Sequence, residues 1–220
     1  MTSQDVFERE VLRWNRSFSL VSRQDPEGQT RRLIRECGLG AEALAAELAE
    51  LAPERRILYA DLGTGGGFPG LLWARDLPER LPKAATWLET HLVEPREKRA
   101  WFLGQTARAM GLDGVCVHTS RWGDGVPYSS HAADLLIVSM KALHLPESII
   151  LAHAQAAFPG WRGPLLVVRF VTAEDARTGT WDQGLEIPGC PRGSVDQSHH
   201  RFALLADPGL HSSLLLSWHP

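Results

Sequence analysis

The chemically richest stretch of this chain is Asp61-Leu62-Gly63-Thr64-Gly65-Gly66-Gly67-Phe68-Pro69-Gly70. An apolar run, 57–62, ends at an acid and then at glycines. Glycine reaches positive φ without strain and lets backbone amides approach a ligand closely. A second acid, Glu94, follows the next strand candidate, 88–93, after Leu92-Val93. Such a set can grip a small polar ligand, with amides donating from the turn and carboxylates accepting.

Two ligand classes use a turn of this kind. Dinucleotides seat a pyrophosphate on a helix N-terminus through G-x-G-x-x-G. That pattern fails from Gly63, because Phe68 takes the third glycine position, but it fits from Gly65 through Gly67 and Gly70. Spacing therefore leaves a dinucleotide open. Charge argues against it, since Asp61 at the strand end would repel a nearby pyrophosphate. S-adenosylmethionine carries no phosphate. Its amino group and sulfonium are cationic and its ribose offers two hydroxyls, so acids beside the glycines are useful. Asp61 is expected to serve the amino group directly or through water. Glu94, at the next strand end, is expected to accept from both ribose hydroxyls. A glycine-rich structural turn with no ligand is the competing reading.

These residues resemble the RsmG/GidB family, guanine-N7 methyltransferases of small-subunit ribosomal RNA. Its D-x-G-[ST]-G-x-G-[FL]-P-G loop is met by residues 61–70, and the Phe-Pro-Gly ending is far more specific than the glycines. Its K-[RK]-x-x-F-L element is met by Lys98-Arg99-Ala100-Trp101-Phe102-Leu103. Leu12-Arg13-Trp14-Asn15 and Leu20-Val21-Ser22-Arg23 match its N-terminal segments, and 34–39 sits where it has H-I-x-D-S-L. The likeness covers most of residues 6–140.

The resemblance implies S-adenosylmethionine as cofactor, with contacts at Gly63, Phe68 and Glu94; Asp61, Gly65, Gly67 and Ser139 complete the expected cofactor contacts. Arg121, Trp122 and Gly123 fall where the family flanks the adenine, with Asp124 one step past the family's acid. Ser139 opens the family's S-R-A segment, but Met140 takes the Arg position and Lys141-Ala142 follows. The family's K-G at the fifth strand end is Arg169-Phe170 here. Lys141 and Arg169 are the expected catalytic-side cations, and Lys98, Arg99 and Arg121 join them as expected RNA contacts. Trp122 is placed to stack on adenine or on a flipped base. Guanine N7 has a free lone pair, so its methylation needs alignment rather than a general base.

The elements that must position these residues are read from periodicity. Residues 1–54 form an expected helical extension, with separate helices at about 29–37 and 41–51. Residues 55–220 form the expected methyltransferase domain. Strands at 57–62, 88–93, 115–119, 135–139 and 165–171 alternate with helices at 69–75, 97–110 and 146–158. That alternation predicts a mostly parallel α/β sheet of the Rossmann-like, class I methyltransferase type. Residues 77–87, with two prolines, read as a loop insertion, and 172–200 as loop. The runs 202–206 and 213–218 flank Asp207-Pro208-Gly209 and predict a closing antiparallel hairpin.

Bulk properties bound the rest. The net charge is -3 and the pI near 6.3, which weighs against a protein that coats nucleic acid non-specifically. The three cysteines, Cys37, Cys116 and Cys190, show no pairing pattern and read as reduced thiols. Nine histidines, His199-His200 among them, form no metal-ligand spacing, so no metal is expected. Residues 1–9 are polar with no apolar segment after them, and no run has the length of a membrane span. A cytoplasmic protein, monomeric and working on ribosomal RNA or the small ribosomal subunit, is the expectation. The alternatives are a methyltransferase of a small molecule or another RNA, a binding module of the same fold without turnover, and, more distantly, a nicotinamide dehydrogenase.

Overall fold

The chain opens with a capping box. The Thr2 hydroxyl accepts from the Asp5 amide at 3.2 Å while the Asp5 carboxylate accepts from the Thr2 amide at 2.7 Å, which starts helix α1, Ser3–Phe18. Ser19 ends it with a left-handed φ of 51°. Helix α2, Pro26–Leu51, has its first turn fixed by Asp25, which accepts from the Gly28 amide at 2.9 Å, and by Pro26 at its first position. The computed structural model describes residues 2–51, 54–81, 83, 85–124, 133–141, 143, 145–158, 161, 163–172, 200–204 and 212–219.

The remaining elements are β1 (Arg56–Leu62), α3 (Gly70–Arg80), β2 (Thr86–Val93), α4 (Glu97–Met110), β3 (Val115–His118), β4 (Leu135–Met140), α5 (Glu147–Ala157), β5 (Leu165–Thr172), β6 (His200–Leu204) and β7 (Ser212–His219). The seven strands form one sheet in the order β3-β2-β1-β4-β5-β7-β6. Strands β1 to β5 pair in parallel, and β7 runs antiparallel between β5 and β6. The mostly parallel α/β sheet and its closing hairpin thus form as the periodicity predicted. The hairpin's turn residues, 207–209, the stretch 173–199 and Cys190 lie outside the described residues.

Strand β1 shows why the sheet needs helices on both faces. Ile57 and Tyr59 pack into one cluster with α2 and α3, while Leu58, Ala60 and Leu62 pack into another with α5. Alternate side chains point to opposite faces, so the unbroken apolar stretch from Ile57 to Ala60 is buried from both sides. A third cluster joins α1, α3 and α4 through Phe7, Val11, Leu72, Phe102 and Leu103.

Two expectations are corrected. The two helices expected at 29–37 and 41–51 are one continuous helix. Gly40 is tolerated in its middle because α2 packs closely there: a Cβ at Gly40 would stand 3.1 Å from both Phe170 and Trp73. The backbone approach outweighs the helix penalty of glycine. The insertion expected at 77–87 shrinks, because α3 runs to Arg80 through Pro78 and β2 begins at Thr86. Pro78 falls in the last turn of α3, where it removes one i→i−4 bond, and the helix ends two residues later.

Candidate active site

The sheet order reverses between β1 and β4, which places a crevice above their carboxyl ends. The glycine turn occupies that edge. Gly63 and Thr64 amides both donate to the Val93 carbonyl, at 2.8 and 3.2 Å, so the turn is pinned to the end of β2. Gly63, Gly65 and Gly67 have φ of 66°, 58° and 89°. These are left-handed values that disfavour any side chain. A Cβ on Gly65 would have nothing nearer than the Gly63 carbonyl at 3.6 Å and Arg99 Nη1 at 3.8 Å. A Cβ on Gly67 would press into Leu71 and Phe7 at 2.9 and 3.0 Å. Gly65 therefore faces an open cradle, and Gly67 faces the core.

Both predicted acids lie at the turn and both are nearly fully buried. Glu94 follows β2, and its two carboxylate oxygens accept from the Gly65 amide at 3.0 Å and the Arg96 amide at 2.9 Å. Asp61 is 1% exposed. Its Oδ2 accepts from the Gly70 amide at 3.0 Å, and its Oδ1 accepts from the Ser139 hydroxyl at 2.6 Å. The Ser139 hydroxyl is itself 2.7 Å from the Tyr59 hydroxyl. Burial pushes the Asp61 carboxyl up to about 7, against the lowering effect of Ser139, Thr64, the Gly70 amide and the Lys141 charge. Asp61 so ties the ends of β1 and β4 to the start of α3.

The other predicted residues divide. Phe68 is buried against α1, its ring edge-on to Phe7 at 5.0 Å. Trp122 is buried beside Leu62, Val93 and Met140, and its indole NH donates to the Ile150 carbonyl at 3.3 Å. Gly123 has φ of 82°, and a Cβ there would collide with His153, whose Nδ1 lies 2.9 Å from the Trp122 carbonyl. Arg121 is exposed and turns back through its carbonyl to the Asp124 amide at 3.1 Å. Lys98 is exposed, while Arg99 donates from Nη2 to the Ser19 carbonyl at 2.9 Å.

Lys141 follows the last residue of β4, while Arg169, expected at a strand end, lies within β5, which runs on to Thr172, and pairs in register with Met140. Both are held by carboxylates that sequence reasoning missed. Lys141 Nζ is 2.6 Å from Glu36 Oε2 of α2 and 4.2 Å from the Phe170 ring centroid. Arg169 Nη1 is 3.1 Å from Glu147 Oε2, and His219 Nε2 is 2.5 Å from the other oxygen of the same carboxylate. Glu36 and Glu147 are nearly fully buried. The only signal in the sequence was an acid at the edge of an apolar helix stripe, and its partner lies too far along the chain for any local pattern. Leu143 was also missed. It stands over Gly63, with Cδ2 3.3 Å from where a Cβ would be.

The strand order, the glycine turn after β1 and the acid after β2 define an α/β fold of the Rossmann-like, class I methyltransferase type. A solved Leishmania major SAM-dependent methyltransferase superposes with a TM-score of 0.53, over 97% of this chain and 83% of that one, at 13% identity. Residues 3–150 match the model of the GidB family, rRNA small subunit methyltransferase G, and the chain belongs to that family. A ribosomal RNA small subunit methyltransferase G of Bradyrhizobium sp. strain BTAi1 is 39% identical over 117 residues, covering 51% of this chain and 50% of the relative. One of Parvibaculum lavamentivorans is 31% identical over 160 residues, covering 72% and 59%. The chain thus spans about half the length of the curated relatives it matches.

Proposed function

We propose that this chain is an S-adenosylmethionine-dependent methyltransferase that methylates N7 of a guanine in small-subunit (16S) ribosomal RNA. The observation that carries the reading is the contact between the Gly65 amide and Glu94, which brings the open glycine cradle and a carboxylate to one point.

The residues present fit that cofactor. Each Glu94 oxygen accepts one backbone amide and keeps a second lone pair for a ribose hydroxyl. Gly63 and Gly65 offer backbone without side chains. Arg121, Trp122 and Gly123 follow β3, whose His118 carbonyl accepts from the Glu94 amide at 3.0 Å, and this is the side on which an adenine would lie. A pyrophosphate fits poorly, because Asp61 and Glu94 put two carboxyl groups at the turn. Asp61, with both oxygens engaged internally, acts as a positioning residue that sets the turn against β4 through Ser139.

When bound, the cofactor supplies a sulfonium-activated methyl group, transferred in line to a nucleophile. The chain's task is to align that nucleophile and exclude water. Lys141 and Arg169 would face the acceptor, with Glu36 and Glu147 fixing their positions. A second reading, the same transfer to a different acceptor, is favoured by these two ion pairs, because cations already matched by carboxylates attract phosphate less.

The test is calorimetric titration with S-adenosylmethionine, followed by tritiated methyl transfer to isolated small ribosomal subunits, to naked 16S RNA and to no RNA. The reading expects micromolar cofactor affinity and label in one of the RNA arms. Cofactor binding with no label in either RNA arm moves the case to the second reading. No cofactor binding ends both.

A further inference from the structure

Three aromatic side chains from two helices meet beside the glycine turn. Trp14 and Phe18, one turn apart on α1, stack with centroids 5.3 Å apart and planes 9° apart. Trp101 of α4 stands edge-on to both, at 4.9 and 6.1 Å. Core packing accounts for the neighbouring Phe102 and Leu103, which are buried, but not for Trp101, which is 46% exposed. Among the described residues it is the large apolar side chain left in solvent. A single exposed apolar side chain is ordinary on a protein surface, so the exposure alone argues nothing; the rigid three-ring bracing, taken with the cations beside it, points to a ligand with a flat face.

The charges around it are mostly positive. Lys98, Trp101 and Arg108 follow one stripe of α4 at helical spacing, and all three are exposed. Arg13 is exposed and its guanidinium lies 5.2 Å from the Trp14 ring centroid. The acids on these two helices are Asp5, Glu8 and Glu10 on α1 and Glu97 at the start of α4, and Glu8 is paired with Arg31. Glu10 is occupied, accepting from the Trp14 indole at 3.1 Å and lying 3.6 and 3.7 Å from Arg9 and Arg13. The cluster also borders the proposed cofactor cradle. Arg99, two residues before Trp101, reaches both the end of α1 and the neighbourhood of Gly65.

We propose that Trp101, braced by Trp14 and Phe18, is a stacking platform for an unpaired RNA base flanking the target nucleotide, with Lys98 and Arg108 meeting the phosphates on either side. This rests on the RNA reading of the site above. Every base has a π-face, so stacking tolerates sequence, and cations beside the ring hold the backbone. The platform would fix the strand relative to the cradle while leaving the target base free to enter it.

The test is fluorescence anisotropy with two labelled RNA probes of equal length, an unstructured oligouridylate and its abasic counterpart. Trp101→Ala should weaken oligouridylate binding about tenfold, the size expected for one stacked base. Trp101→Phe should restore most of the affinity. Neither variant should change binding of the abasic strand or S-adenosylmethionine affinity, while Trp101→Ala should lower the melting temperature modestly through the lost ring contacts with Trp14 and Phe18. Lys98→Ala with Arg108→Ala should weaken both strands and reduce the salt dependence. Equal loss on both strands, or no loss with Trp101→Ala, overturns the platform. So does light scattering that shows self-association abolished by Trp101→Ala with RNA affinity unchanged, which would make the face a protein contact. Cofactor binding is read separately, so failure of the platform and failure of the methyltransferase reading are distinguishable.

Discussion

The Ser139 hydroxyl donates to the Asp61 carboxyl at 2.6 Å across the β1–β4 pair, and that contact sits below the glycine turn with no solvent around it. Asp61 titrates near 7 when folded, because burial penalises its charged form, against about 3.9 when unfolded. The raised folded value means the folded chain holds a proton that the unfolded chain has lost. Stability from this group is therefore full below about 4, falls as pH rises towards 7, and is flat above. Lys141, Tyr59 and Cys37 share the surroundings, and the lowered pKa of His118 acts in the opposite sense. Asp61→Asn removes the Asp61 contribution alone. On going from pH 7.5 to 5.5, wild type should gain about 2 kcal/mol over Asp61→Asn. Paired urea melts at the two pH values check this, and a constant gap rejects it.

Glu94→Ala should weaken S-adenosylmethionine about 10- to 100-fold, the loss of a charge-assisted pair of hydrogen bonds. Glu94→Gln keeps the shape and loses the charge, so its loss should be smaller. Calorimetry on the two variants and wild type measures the order. Equal affinity in all three would remove Glu94 from the cofactor's contacts.

Gly65→Ala and Gly67→Ala should fail differently. Both place a side chain at positive φ, at about 1 kcal/mol. At Gly67 the methyl also presses on Leu71 and Phe7, so thermal stability should drop by several degrees more than for Gly65→Ala. At Gly65 the methyl enters the cradle, so cofactor affinity should fall by at least about tenfold with a smaller change in melting temperature. Similar melting temperatures and affinities for the two variants would argue against the division of the turn into a ligand side and a core side.

Lys141→Met leaves Glu36 buried and unmatched and should cost about 3 kcal/mol. The double variant Glu36→Leu, Lys141→Met removes both charges and should recover most of that stability. If Lys141 faces the methyl acceptor, the recovered protein still transfers methyl at least about tenfold more slowly, with cofactor affinity unchanged. Denaturant melts give the stability, and single-turnover transfer gives the rate. Full transfer in the double variant would make Lys141 structural only.

Much of this protein was legible without coordinates, for a local reason. Glycine spacing encodes backbone φ, unbroken apolar runs encode two-faced burial, and strand–helix alternation encodes a parallel sheet. The turn at 63–67, the acids at 61 and 94 and the hairpin at the end all follow from such short-range rules. Pairings between distant segments do not. The partners of Lys141 and Arg169, the inward orientation of Asp61 onto Ser139, and the uninterrupted α2 depend on which surfaces meet when the sheet closes. Gly40 in mid-helix is the plainest case, since its local propensity says break while the rings of Phe170 and Trp73 require a helix without a side chain there. The sequence by itself determined the cradle, because conformational preference is a property of each residue. Tertiary structure alone decided which charges face one another across it, because a buried ion pair is set by long-range packing and leaves no periodic trace.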